Sequence, residues 1–225
     1  MSTIVVVGSG MMGSALAMPL CENGHKVRLV GSPLDNAIIE HGRKTNDHLT
    51  MKRHMPEGVE WYYFEEADKA MEGADLYING VSSFGLDWFI KEMIPRIPEN
   101  LPVLSVTKGM VNYPDGSLKS YPEIFEESTE KKISFNAIGG PCTSYGLADK
   151  DFTEVTFCGR DMEMLRWIKS LFETEYYNVS LSTDVRGVEC AVAMKNAYAL
   201  GVSLAIGMSY RTKNTNCEEM VRESE

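Results

Sequence analysis

Short apolar runs alternate with longer amphipathic segments over most of the chain. The run at residues 4–7 is continuously apolar and β-branched, which is typical of a parallel strand buried on both faces. Segments of helical length, among them residues 84–93 and 162–172, separate such runs. This alternation predicts an α/β fold with a doubly wound, mostly parallel sheet. The predicted strands are residues 4–7, 27–30, 59–64, 75–79, 103–106, 134–138, 155–158 and 178–181.

The pattern changes after residue 183. Apolar residues at positions 185, 188, 192, 199, 202 and 206 recur at helical spacing, which predicts a long helix with Thr183 or Asp184 as its N-terminal cap. Apolar and small residues surround nearly the whole helix, so we expect cover from the sheet, from further helices or from a second subunit.

A glycine-rich turn, G-S-G-M-M-G at residues 8–13, lies between the first predicted strand and a helix. In this setting the first glycine permits a tight turn, the second lets the backbone approach a pyrophosphate, and the third allows close packing of helix on strand. The turn therefore predicts a Rossmann-type dinucleotide-binding domain. Met11 and Met12 could equally serve as packing residues under the helix.

The choice between NAD and NADP depends on the tip of the second strand, where an acidic residue grips the ribose 2′-hydroxyl in NAD enzymes. Here the tip reads V-G-S-P at residues 30–33, and Asp35 follows Pro33, where we expect it to cap a helix or face solvent. Ser32 could donate a hydrogen bond to a 2′-phosphate, and a basic stretch could reach it, although a solvated loop also explains that stretch. The sequence favours NADP. The basic residues are Arg43, Lys44, Lys52 and Arg53.

Three further segments carry a resemblance. They are S-V-T-K-G-M at residues 105–110, I-G-G-P-C-T-S at 138–144 and G-V-E-C-A-V-A-M-K-N-A at 187–197. In order and spacing they resemble the glycerol-3-phosphate dehydrogenase family, NAD(P)-dependent enzymes that interconvert dihydroxyacetone phosphate and sn-glycerol 3-phosphate. The family continues for roughly another domain of ~100–200 residues, so the C-terminal part of its substrate domain is not seen in this chain.

The resemblance implies roles for individual residues. Lys195 would be the general acid and base, and Lys108 the second catalytic lysine. The implied substrate-binding residues are Lys108, Gly140, Cys142, Lys195 and Asn196. The glycine turn and the resemblance together imply the cofactor-binding residues Gly8, Ser9, Gly10, Met11, Met12, Gly13, Ser32, His54, Ser83, Phe84, Lys108 and Ser144. Cys142 departs from the family's usual Ser or Thr, and a thiol donates a weaker hydrogen bond.

Lysine suits the implied chemistry. Reduction of a ketone by hydride develops negative charge on oxygen, and a nearby ammonium group both stabilises that charge and supplies the proton. Burial beside a second lysine, Lys108, would lower the pKa of Lys195 toward neutrality. The alternative is a helical lysine that extends to solvent, but the residues around Lys195 are unusually apolar for a solvated helix face.

Composition narrows the classes of partner. The formal net charge is −10, which opposes binding to nucleic acid or anionic lipid. The most apolar stretch, residues 197–208, has 12 residues, whereas a membrane span needs about 20; with no signal-peptide pattern, we expect a cytoplasmic protein without a membrane span. Five cysteines without a C-x-x-C pair predict free thiols, and four histidines without metal-site spacing predict no metal.

We divide the chain into a dinucleotide-binding domain, residues 1–182, and the beginning of an all-α substrate and dimerisation domain, residues 183–225. The expected partners are a small phosphorylated substrate and a second copy of the chain. One alternative is a shortened paralogue that serves as an NAD(P)-binding sensor or partner protein. Another is a related Rossmann reductase of a different small keto acid.

Overall fold

The computed structural model describes residues 1–212 of the 225-residue chain. Its main sheet has the strands β1 (Thr3–Val7), β2 (Lys26–Val30), β3 (Val59–Tyr62), β4 (Leu76–Asn79), β5 (Val103–Ser105), β6 (Phe135–Gly139), β7 (Thr153–Cys158) and β8 (Tyr177–Ser182). They lie in the order β3-β2-β1-β4-β5-β6-β7-β8. All neighbouring strands are parallel except β6 and β7. The predicted doubly wound, mostly parallel sheet is confirmed, and the strand bounds agree within two residues.

The helices lie between these strands. They are α1 (Met11–Ala15), α2 (Ala17–Glu22), α3 (Asn36–Thr45), α4 (Ala67–Met71), α5 (Leu86–Trp88), α6 (Tyr121–Glu127), α7 (Ser144–Ala148), α8 (Met162–Phe172) and α9 (Val185–Thr212). The predicted helix at residues 162–172 is confirmed as α8. The segment predicted as one helix at 84–93 instead forms a 3₁₀ turn, the short helix α5 and a π-helical turn in succession.

Two hydrophobic clusters cover the two faces of the sheet. Ile4 and Val6 of β1 pack into one cluster, and Val5 and Val7 pack into the other. All four side chains are fully buried, because successive residues of a strand point to opposite faces. The continuous β-branched run thus serves a strand at the centre of the sheet.

Two small hairpins were not predicted. One pairs Asp47–His48 with Arg53–His54, and the other pairs Met110–Asn112 with Leu118–Ser120. Each strand contains only two or three residues, too few for an alternating pattern to be visible in the sequence.

The long helix α9 begins after Asp184, whose Oδ1 accepts a hydrogen bond from the Gly187 N–H at 2.9 Å. This confirms the predicted cap. Its first turns pack on the end of β6, but the later part carries large exposed apolar side chains, including Tyr198 at 64% and Leu200 at 72% exposure. Residues 1–212 therefore do not supply the expected cover for this part of the helix.

The segment Val185–Met208 of α9 is, by length and composition alone, apolar enough to cross a membrane, with a mean hydropathy of 1.3. The sequence analysis considered only the uninterrupted apolar run at 197–208 and found no span. The longer segment Val185–Met208 also contains three charged residues, Arg186, Glu189 and Lys195, among its small and apolar residues.

Candidate active site

The glycine turn follows β1 at the point where the strand order reverses. Gly8 has φ +98°, and a Cβ there would lie 2.9 Å from the carbonyl carbon of Gly80. A Cβ on Gly13 would lie 2.5 Å from the Gly8 oxygen, whereas one on Gly10 would have no atom within 4 Å among the described residues. Two of the glycines thus permit close backbone packing, and the space beside Gly10 is free for a ligand. This is the division of roles that a dinucleotide requires.

Asp35 joins the glycine turn to the tip of β2. Its Oδ2 accepts hydrogen bonds from the Ser9 N–H at 3.3 Å and the Ser32 N–H at 2.8 Å. The residue precedes α3, but its side chain makes no capping bond to that helix. Asp35 thus occupies the N-cap position of α3, as expected, but its carboxylate accepts hydrogen bonds from the N–H groups of Ser9 and Ser32 and caps no N–H of the helix.

His48 also holds the glycine turn in place, through a hydrogen bond to Ser9. The sequence motifs did not predict this role. The Nδ1 of His48 accepts a hydrogen bond from the Met51 N–H at 3.0 Å, so its Nε2 carries the proton and donates to the Ser9 carbonyl oxygen at 2.9 Å. The side chain is fully buried, and burial lowers the pKa of His48. No spacing in the sequence indicates this contact, which joins residues 39 apart.

A buried polar network fixes the loops that follow β4 and β5. The Asn79 Nδ2 group donates to Ser105 Oγ at 3.2 Å and to Thr107 Oγ1 at 3.1 Å. Thr107 Oγ1 in turn donates to the Val81 carbonyl oxygen at 2.7 Å. These residues lie at the carboxyl ends of adjacent strands, where open α/β sheets bind ligands. The network therefore positions the segment that carries Lys108.

Lys108 is half-buried at the end of β5. Its Nζ donates a hydrogen bond to the Gly140 carbonyl oxygen at 3.1 Å, in the turn after β6, where Gly140 has φ +126°. Burial lowers the pKa of Lys108, and the nearby charge of Lys195 lowers it further. The two predicted catalytic lysines are therefore close enough to interact electrostatically, although one lies on a loop and the other on α9.

Cys142 lies beside the same two lysines. It is buried, and burial raises the pKa of its thiol to about 11 while the charges of Lys108 and Lys195 oppose that rise. The thiol is consequently neutral near pH 7, and it contacts the Thr143 carbonyl oxygen at 3.7 Å. The structure thus gathers Lys108, Gly140, Cys142 and Lys195 at one place.

Further evidence comes from known sequences. The family model for the N-terminus of NAD-dependent glycerol-3-phosphate dehydrogenase matches residues 3–165. This chain belongs to the NAD-dependent glycerol-3-phosphate dehydrogenase family. The resemblance that the sequence motifs indicated is therefore confirmed.

Individual members of the glycerol-3-phosphate dehydrogenase family agree. The NADP(+)-dependent enzyme of Archaeoglobus fulgidus is 30% identical over 209 residues, which are 92% of this chain and 62% of that protein. The NAD(P)+ enzyme of Shouchella clausii is 28% identical, with coverage of 99% and 64%. The solved structure of the Saccharomyces cerevisiae enzyme, at 17% identity, superposes with a TM-score of 0.80 and coverage of 99% and 67%, which establishes the shared fold. This chain spans about three fifths of the length of the two curated relatives.

The remaining residues predicted for the cofactor are dispersed. Met11 and Met12 are half-buried and pack against the core, which agrees with their packing interpretation. Ser83 lies near the Tyr121 hydroxyl and influences its pKa, and the ring of Phe84 is fully exposed. Ser144 begins α7 directly after the Gly140 turn. Asn196, predicted to bind the substrate, is exposed on α9 next to Lys195.

His54 lies on the hairpin near the glycine turn, and its Nδ1 is 2.7 Å from Asp47 Oδ1. This hairpin and α3 line a cavity of about 290 Å³ with His41, Asp47, His48, Leu49, Lys52, Arg53 and His54. The cavity lies apart from the lysine pair. One of its lining residues, His48, also donates a hydrogen bond to the Ser9 carbonyl oxygen of the glycine turn.

Three of the four residues in the basic stretch are tied to carboxylates. Arg53 binds Asp149 with two of its guanidinium nitrogens, Nε at 2.6 Å and Nη2 at 2.8 Å. Arg43 pairs with Glu66, and Lys44 pairs with Glu40 at 2.6 Å. Lys52 makes no ion pair within residues 1–212, which leaves it the most available of the four for an anionic ligand.

The cysteines and acids give no metal centre in the part of the chain that the structure describes. Cys21, Cys142, Cys158 and Cys190 are free thiols, and no group of three or more His, Cys, Asp or Glu side chains there could hold a metal ion. Cys217 lies outside the described residues, as does the part of the predicted second domain after residue 212.

Proposed function

We propose that the chain is the nucleotide-binding part of an NAD(P)-dependent glycerol-3-phosphate dehydrogenase and contributes its catalytic lysine. The reaction would interconvert dihydroxyacetone phosphate and sn-glycerol 3-phosphate. The observation that supports this proposal best is that two lysines, Lys108 and Lys195, lie close enough to repel each other beside the Gly140 turn. Lys108 follows the carboxyl end of β5, and the helix α9 that carries Lys195 packs on the carboxyl end of β6. This is the edge of the sheet where such folds place substrates.

The residues suggest how the reaction proceeds. A bound NADH or NADPH would supply the hydride, and the open space beside Gly10 fits the approach of its pyrophosphate to the backbone. Lys195 would donate the proton to the substrate oxygen as negative charge develops there, and would take it back in the reverse direction. Lys108 would hold the substrate, with Gly140, Cys142 and Asn196 beside it.

For the nucleotide, we infer a preference for NADP over NAD. Ser32 stands at the tip of β2, where its hydroxyl could donate to a 2′-phosphate, and Lys52 makes no ion pair within the described part of the chain. Asp35, the nearest acid, already accepts hydrogen bonds from two backbone N–H groups. The Archaeoglobus fulgidus relative is named as NADP(+)-dependent.

The proposed function also implies a domain division, a dimer and a cellular location for the protein. Residues 1–182 would form the dinucleotide-binding domain, since β8 ends at Ser182, and α9 would begin the helical substrate domain. The exposed apolar side chains of Tyr198, Leu200 and Leu204 on α9 suit burial against that domain or against a second copy in a homodimer. Arg186, Glu189 and Lys195 place three charged groups within the segment Val185–Met208, which disfavours a bilayer location, and we infer a cytoplasmic protein.

The experiment is a fluorescence titration of the purified 225-residue chain with NADH and NADPH, followed by addition of dihydroxyacetone phosphate. We expect binding of the reduced nucleotide, with NADPH the tighter ligand. Turnover would establish that the chain is catalytically sufficient, and binding without turnover would place the missing part of the activity in the substrate domain or favour a nucleotide sensor. Absence of binding for both nucleotides would overturn the proposal.

A further inference from the structure

Glu189 is a buried acid on α9 that the proposed reaction does not use. The residue is fully buried, and its Oε2 accepts a hydrogen bond from the Gly109 N–H at 2.8 Å. Its Oε1 has no hydrogen-bond partner among the described residues. A carboxylate buried with an unpaired oxygen costs stability, so its position requires a reason other than packing.

The contacts of Glu189 place it at the junction of three elements. Gly109 follows Lys108 directly and has φ +119°, so the Glu189 hydrogen bond holds the turn that carries Lys108 against α9. Lys108 reaches from this turn to the Gly140 carbonyl oxygen. The helix thus meets both turns that define the surroundings of the lysine pair.

Apolar contacts complete this junction on the neighbouring face of α9. A Cβ on Gly139 would lie 2.5 Å from a methyl group of Val188 and 3.0 Å from one of Val192. The valines therefore fix the distance between α9 and the end of β6, whereas Glu189 provides the polar contact between α9 and the end of β5. Lys195 lies on the same helix, six residues after Glu189.

Charge adds a second constraint. Lys108 and Lys195 repel each other, and the carboxylate of Glu189 is close enough to Lys108 to oppose the effect of that repulsion on the pKa of Lys108. Tyr121 and Cys158 are the other titratable groups influenced by Glu189, and both are neutral near pH 7. Burial raises the pKa of Glu189 to about 7, and above that pH the carboxylate provides a negative charge close to the Lys108 ammonium group.

We propose that Glu189 is a positioning residue, which holds the Lys108–Gly109 turn against α9 so that Lys108 and Lys195 face one substrate. The inference rests on the proposed function for the roles of the two lysines. The contact itself, from the Glu189 carboxylate to the Gly109 N–H, can be tested without any reaction.

The test compares Glu189→Gln and Glu189→Asp in the 225-residue chain, with Glu99→Gln at an exposed position as the control. The readouts are hydrogen exchange of the Gly109 amide and the pKa of Lys108, both measured by NMR. Gln keeps an oxygen at the correct length, so the Gly109 exchange rate should stay near that of the parent while the pKa of Lys108 falls. Asp is one methylene shorter, so Gly109 exchange should accelerate roughly tenfold, as expected for loss of one hydrogen bond.

Activity in the presence of dihydroxyacetone phosphate and reduced nucleotide supplies the functional readout where turnover is seen. We expect Glu189→Asp to raise KM for the phosphate substrate, and we expect Glu189→Gln to keep KM close to that of the parent. Unchanged Gly109 exchange in the Asp variant, or an unchanged pKa of Lys108 in the Gln variant, would overturn the positioning role. Failure of the parent chain to bind either nucleotide would overturn the proposed function and leave the Gly109 result interpretable.

Discussion

Lys108 donates a hydrogen bond from Nζ to the Gly140 carbonyl oxygen at 3.1 Å, across 32 residues of sequence. The two residues follow β5 and β6, which are neighbours in the sheet. The bond holds the ammonium group of Lys108 in the crevice and away from bulk water. Burial is accordingly the largest cause of its lowered pKa, and the charge of Lys195 is the second.

Replacement of Lys195 by Met should raise the pKa of Lys108, because it removes the positive charge that destabilises the protonated form. NMR titration of the lysine side chains measures this, with the exposed Lys132→Met as a control that leaves Lys108 unchanged. In a catalytically active form of the protein, Lys195→Met should also abolish turnover and spare nucleotide affinity. Loss of both properties together would mark Lys195 as a structural residue.

Substitution of Gly by Ala should have different effects at two positions of the glycine turn. Gly10→Ala should leave stability nearly unchanged, since Gly10 has φ −63° and open space beside it, but should weaken nucleotide binding at least tenfold, by roughly 1.4 kcal/mol. Gly13→Ala should destabilise the fold by about 1–3 kcal/mol through the clash with the Gly8 oxygen. Denaturant unfolding and NADH titration of both variants measure the difference. Equal nucleotide affinity of Gly10→Ala and parent would contradict ligand binding at this turn.

His48 should make stability depend on pH below its ordinary pKa of 6.5. Burial lowers the pKa of His48 in the folded state. Below pH 6.5 the unfolded chain therefore binds a proton at His48 more readily than the folded chain does. The free energy of unfolding should therefore decrease as pH falls from 6.5 toward 5, by at most about 1.4 kcal/mol per pH unit. His48→Gln should show a smaller decrease, which urea unfolding of both proteins at pH 5 and pH 7 measures.

Glu189 should act in the opposite direction. Burial raises its pKa from 4.5 to about 7, so the stability associated with its protonated form is present below pH 4.5 and is lost as pH rises through 7. Glu189→Gln lacks this loss and should gain stability relative to the parent by up to about 3 kcal/mol near pH 9. Urea unfolding at pH 5 and pH 9 gives the comparison; a constant difference between the two proteins would argue against a raised pKa.

Ser32 should discriminate between the two nucleotides if its hydroxyl contacts the 2′-phosphate. Ser32→Ala should weaken NADPH binding several-fold, within the ~1–3 kcal/mol expected for a hydrogen bond to a charged group, and leave NADH binding unchanged. Parallel titrations of parent and variant measure the ratio. An equal loss for both nucleotides would instead indicate that Ser32 supports the shape of the turn through the hydrogen bond that its Oγ accepts from the Leu34 N–H.

Local sequence pattern was sufficient for the main sheet and for the family. The β-branched run of β1, buried on both faces, could be recognised because each of its residues faces a core. Gly8, Gly10 and Gly13 could be assigned because their spacing reflects backbone geometry within a single turn. The lysine motifs could likewise be placed, since Lys108 and Lys195 each lie in a continuous segment that resembles the family.

Tertiary structure decided the groups that hold those segments in place. Asp35, His48, Asn79 and Glu189 act through hydrogen bonds between residues 26 to 80 positions apart, and no periodicity connects such distant positions. Asp35 takes the N-cap position of α3, but its carboxylate binds the Ser9 and Ser32 N–H groups, which could not be predicted because the sequence does not reveal which unpaired N–H groups lie nearest to it. The charge balance around the lysine pair likewise depends on burial, which arises only when α9 packs against the ends of β5 and β6.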